Sequence, residues 1–288
     1  MYEHPFNKTL TLAGNKITNR FRRQMDLFYS CLAKTSVSQT VENVHRLRVS
    51  IKGIRSLLVL MDKACAGALQ KKEHMKIYAP LFRKAGQVRD IQISLGLLKS
   101  KKTAYLVPYK KYLGRFLKLK TRHLHAETLV IDLKQLDKLN HELVNKIQNI
   151  HPGSIPESAA SLIHRLLGRV YSLSQKPRDL KTLHDIRIIL KTVQESLEIL
   201  LRIKPSEEWK AVDRKLKPLY DALGKWHDEA LLNKSIKAYQ HSAVSVNGHL
   251  TRMASRLEKE NKTREDKIYA LLRKLLPPFR QKGSRKAS

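Results

Sequence analysis

Between residues 44 and 61 the chain reads VHRLRVSIKGIRSLLVLM, with apolar positions recurring at helical rather than strand spacing. On a helix turning about 100° per residue from His45, the side chains of Leu47, Ile51, Ile54, Leu58 and Met61 fall between about 160° and 240°. That is one apolar stripe facing a core. Residues 183 to 200, LHDIRIILKTVQESLEIL, repeat it with Ile186, Leu190, Val193, Leu197 and Leu200. Breakers at Pro80, Pro108, Pro152-Gly153, Pro156, Pro177 and Pro205 divide the chain into long runs of this kind, and Ser206 before Glu207-Glu208 reads as a helix start. With 11 glycines and 10 prolines, the composition is that of an all-α protein.

The two apolar helices are copies of one another. Aligned without a gap, His45 meets His184, Arg48 meets Arg187 and Lys52 meets Lys191. Downstream, Gly86-Gln87-Val88-Arg89-Asp90 matches Gly224-Lys225-Trp226-His227-Asp228. The histidines lie 139 residues apart and the glycines 138, so a helical unit is duplicated. The first repeat is expected over 1–150, a linker over 151–156, the second repeat over 157–276, and a frayed basic tail over 277–288. The repeats are expected to form one domain.

His45, Arg48, Lys52 and Arg55 make a second stripe, spaced i, i+3, i+7, i+10, bordering the core stripe rather than opposing it. His184, Arg187 and Lys191 repeat it, and Gln194 drops the charge that Arg55 carries. Such cations line a groove, and burying them together requires an anion to neutralise them. Whole-chain charge agrees: 57 Lys+Arg against 25 Asp+Glu leave +32, a balance that accompanies polyanionic partners. Gly86 and Gly224 serve either close helix contact or the ligand, and Asp90 and Asp228 either pair structurally or orient the cations.

The doubled H-x-x-R-x-x-x-K helix, each copy followed about forty residues on by G-x-x-[R/H]-D, resembles the CHAD family, the conserved histidine α-helical domain. The likeness spans almost the whole chain. It implies two pseudo-twofold-related, four-helix-bundle-like repeats around a basic central channel, binding of inorganic polyphosphate, association with polyphosphate granules, and no catalysis. By position it implies polyphosphate contacts from His45, Arg48, Lys52, Arg55 and Arg89, and from His184, Arg187, Lys191 and His227. Gln194 departs from the basic residue usual at its position.

Three other readings compete with this one. A sequence-independent nucleic-acid binder needs only phosphate contacts, but aromatics, 6% of the chain, are not interleaved with the basic stripes; weak nonspecific binding stays open. An enzyme acting on phosphoric anhydrides lacks a G-x-x-x-x-G-K-[ST] loop, an H-E-x-x-H pair and a dense carboxylate set. No catalytic residue, cofactor or metal site is therefore expected. A membrane-surface protein needs an aromatic outer face that these helices lack. Cys31 and Cys65 form no CxxC. No stretch approaches a membrane span, and Met1-Tyr2-Glu3-His4-Pro5 opens no apolar leader core. A cytoplasmic protein is expected.

Overall fold

A computed structural model describes residues 16–65, 67, 69–99, 103–148, 154–242 and 248–276. Among these residues the structure is helical throughout and has no strand. In the first half run α1 (Lys16–Val37), α2 (Val41–Ala64), the short α3 (Lys71–Lys76), α4 (Ala79–Leu97), α5 (Val107–Val130) and α6 (Leu133–Gln148). The second half has α7 (Ser154–Ser174), α8 (Leu180–Ile203), α9 (Glu207–Ser242) and α10 (Gly248–Leu275).

The duplication is visible down to the helix ends. Helices α2 and α8 are each 24 residues long. The Thr40 hydroxyl accepts the Asn43 N–H at 3.2 Å to cap α2. Asp179, one repeat later, accepts the Thr182 N–H to cap α8. Pro80 opens α4, where a missing N–H is harmless. Its counterpart Pro218 lies inside α9, because the segment broken into α3 and a turn in the first half is continuous helix in the second. One boundary differs from the sequence reading. Ser154, Ile155 and Pro156, expected in the linker, form the first turn of α7, since first-turn N–H groups have no intrahelical acceptor and proline loses nothing there. Residues 151–153 and the tail 277–288 lie outside the described residues.

Equivalent helices pack equivalently. Helix α1 lies on α2 as α7 lies on α8, α4 on α5 as α9 on α10, and α2 meets α4 as α8 meets α9. The ten stripe positions named above are all buried. The main core draws on both halves, and a second core joins Tyr109 and Leu113 to Ile236 and Leu250. Helix α6 packs on α1 and has no second-half counterpart. The packing is asymmetric at one place: α7 packs against α2, but its counterpart α1 makes no comparable contact with α8.

Candidate anion-binding cleft

Because the core stripe of α2 is turned inward, the basic stripe beside it falls on the seam where α2 meets α8. Ser56 Oγ donates to the Glu195 carboxylate, and these two residues are repeat mates. A residue that touches its own mate lies near a twofold axis. In the pseudo-twofold arrangement that the sequence resemblance implies, the axis would pass between the two helices at this contact. Arg55 Nη2 stands 3.7 Å from Glu195 Oε2.

One turn away, Lys52 and Lys191, also mates, line a cleft of about 410 Å³ together with His45, Ser56 and Gln194. Lys191 Nζ donates to Gln194 Oε1 at 3.2 Å, so the uncharged departure at 194 holds its neighbouring lysine in place. Val49 lies at the cleft wall and is itself exposed.

Arg48, Arg89, Arg187, His184 and His227 gather on the adjoining surface, where α2 and α8 meet α4 and α9. Arg48 Nη1 donates to the Phe82 carbonyl at 3.0 Å, and its guanidinium carbon lies 4.4 Å from the Phe82 ring centroid. A Cβ at Gly86 would stand 2.7 Å from that same Nη1, so Gly86 is the space into which Arg48 fits. The His184 and His227 ring centroids are 6.2 Å apart. The second half is looser. Nothing lies within 4 Å of a Cβ at Gly224, and Arg187, Lys191, Gln194 and Tyr220 surround a small pocket there.

The charges oppose one another. Burial pushes the Lys52 ammonium down to about 8, helped by Arg48 and Lys191 and only partly resisted by Glu195. Burial, then Arg187 and His184, takes His227 down to about 4, and burial and Arg89 lower His45. Burial also lowers Arg48, against the pull of Asp90, and Arg187, against that of Asp228 and Asp90. Desolvation raises both carboxyls, Asp90's even though that residue is exposed overall, while Arg48 and Arg187 pull them back. Asp90 and Asp228 thus sit among arginines of both halves, partly neutralising them. Among the described residues, no group of three or more His, Cys, Asp and Glu side chains is placed to hold a metal, and no helix is long and apolar enough to cross a membrane.

Sequence reasoning missed four charged cleft residues: Arg20 and Arg202, and the acids Glu195 and Glu198. Arg20 belongs to the run Arg20-Arg22-Arg23, which reads as a solvated face. Its signal was its place one turn before Gln24, beside the buried Ile17, Phe21 and Met25. Glu195 was legible as the acid aligned with Ser56, four residues after Lys191.

The family model of the CHAD domain matches residues 25–237, from within α1 to within α9. The chain belongs to the CHAD domain family. A crystal structure of the CHAD domain from the plant Ricinus communis superposes with a TM-score of 0.69 at 17% identity, covering 94% of this chain and 97% of that one. At that identity the likeness carries the fold alone. No curated protein matches the chain. The family match begins at Met25, so Arg20 lies outside the part of the CHAD domain that the match covers.

Proposed function

We propose that this CHAD domain binds inorganic polyphosphate along the α2–α8 seam and leaves it chemically unchanged. Polyphosphate binding is a known property of the family. The observation that carries the reading is the pair of repeat-mate lysines, Lys52 and Lys191, sharing one cleft, with the Lys52 ammonium held down to about 8 by burial and like charge. A ligand-free site that resists its own charge is relieved by an anion, and a linear polyanion can meet both halves at once. In this reading Lys52, Lys191 and His45 face the polymer directly. Arg187, Arg89, Arg55, His184 and His227 supply the surrounding positive field, and Arg48 does so while bracing the Phe82 carbonyl. The nearest cleft carboxylate, Glu195, is already engaged by Ser56 and Arg55, which favours binding over general-base chemistry. The same contact would hold the protein on polyphosphate granules.

A second, weaker activity has its own support. On the outer face of α5, Lys111, Arg115, Lys118 and Arg122 form an exposed stripe with no ion pair among the described residues. Such a face takes nucleic acid weakly and without sequence preference.

The test of the cleft is Lys52→Gln combined with Lys191→Gln. Polyphosphate affinity is expected to fall at least about tenfold, which is about 1.4 kcal/mol, with helicity retained and the weak nucleic-acid binding unchanged. Undiminished polyphosphate affinity would contradict the assignment.

A further inference from the structure

We propose that polyphosphate leaves the central cleft through the gap between α1 and α8, where Arg20 and Arg202 form a further phosphate subsite that makes the protein selective for long chains. The proposal rests on the reading of the cleft as a polyphosphate site and adds a direction and a length preference to it.

The gap is a departure from the pseudo-twofold. On one side of the seam α7 packs against α2; on the other, α1 stands away from α8. The cleft that contains Lys52 and Lys191 extends into this opening, and Arg20 from α1 and Arg202 from α8 line the same continuous space. The two arginines come from different halves and have no counterpart in the repeated histidine motif, so no symmetry argument predicts them.

Arg20 is built as though awaiting an acceptor. Its Nε is buried and has no hydrogen-bond partner, and a desolvated guanidinium N–H left unpaired is costly. Burial and the neighbouring Arg202 both disfavour its charge, and Glu198 is the carboxylate that opposes them. Two guanidinium groups lining one opening, with Glu198 the carboxylate that acts against their mutual repulsion, are poorly neutralised by the protein itself. A phosphate placed between them accepts from both, and arginine's planar fork suits phosphate oxygens.

Distance sets the selectivity. Lys191 and Arg202 are eleven residues apart on α8, about 16 Å along the helix axis. Three linked phosphate groups are shorter than that span, so a short polyphosphate centred on Lys191 cannot also occupy the Arg202 end of the cleft. A long one can. The negative charge of Glu198, which opposes part of the positive field at Arg20, makes this exit weaker than the centre, consistent with a polymer that enters at the lysines and then extends outward.

The experiment compares tripolyphosphate with polyphosphate of roughly one hundred units as titrants at several salt concentrations. The proteins are the full chain, the exit variant Arg20→Gln with Arg202→Gln, and the central variant Lys52→Gln with Lys191→Gln. The exit variant is expected to weaken long-chain binding about tenfold, to lower the slope of log affinity against log salt by about 0.7 per lost contact, and to leave tripolyphosphate within about twofold. The central variant should weaken both ligands. Equal weakening of both ligands by the exit variant, or none of either, overturns the subsite while the effect of the central variant leaves the cleft standing. A central variant that binds both ligands normally overturns the cleft reading itself. Arg20→Lys with Arg202→Lys controls for folding: it keeps the charges and should retain more long-chain affinity than the glutamine pair. If the lysine pair binds no better than the glutamine pair, the loss is structural and the subsite falls.

Discussion

Gly86 and Gly224 occupy the same position in the two repeats, yet a methyl group would find Arg48 Nη1 at 2.7 Å beside the first and open space beside the second. Both lie inside helices, where glycine is less stable than alanine by about 0.5–1 kcal/mol. Gly224→Ala is therefore expected to raise the unfolding free energy by about that amount. Gly86→Ala should gain nothing or lose stability, because the guanidinium it displaces is held by the Phe82 carbonyl. Equal gains in thermal unfolding at both sites would contradict the tight seat described for Arg48. The sequence aligned these glycines correctly but could not separate them: the difference lies in Phe82 and Arg55 on one side against Tyr220 and Gln194 on the other. The lysine at the centre makes a second prediction at this scale. In the proposed cleft polyphosphate would select the protonated Lys52, whose free value is about 8, and binding should return it toward the ordinary lysine range. Affinity should then decline as pH rises through 8, by at most about tenfold per unit for one proton. Below pH 7, charging of His45 and His227 by the bound anion should tighten binding further. A flat profile from pH 5 to 9.5 would show that none of these groups meets the ligand. In the ligand-free protein the sign reverses. The depressed His227 makes the unfolded chain the better proton acceptor between about pH 4 and 6.5. Stability should fall as pH drops through that window, and less so in His227→Asn.

At the scale of elements, the amphipathic pattern carried most of the fold, because every core stripe position it named on α2 and α8 is buried. What it could not show was that the segment preceding Pro218 is continuous helix where its first-half counterpart is broken. In the first half the chain breaks before Pro80 and restarts; in the second, α9 runs from Glu207 straight through the proline. An interior proline removes a helix hydrogen bond and crowds the preceding turn. Pro218 is exposed, so Pro218→Ala should stabilise the protein by about 1–3 kcal/mol, read from denaturant unfolding. Pro80→Ala, at a helix start, should change little. A loss of stability at Pro218→Ala would mean that the proline shapes α9 for its packing on α4. The linker is the other place where local signals misled: Pro156 reads as a breaker, and in a first turn it is not one.

Across the whole molecule, the duplication was legible, and so was the convergence of like charge that it creates. A helix repeated about a local twofold brings its own basic stripe against its copy, and Lys52 beside Lys191 is the outcome. The sequence did not reveal the acids that temper this centre, since Glu195 meets Ser56 and Arg55 only once the halves are folded together. Nor did it reveal the gap at α1, which follows from how far a helix stands from its neighbour rather than from any periodicity. The proposed cleft would organise a net charge of +32 into a specific site rather than a diffuse attraction for anions. The most direct test is a competition titration of long-chain polyphosphate, double-stranded DNA and ATP against the intact protein at low and near-physiological salt. Polyphosphate should stay tightly bound at the higher salt while DNA and ATP are lost; DNA competing equally at every salt would contradict the claim and leave a general polyanion binder in its place.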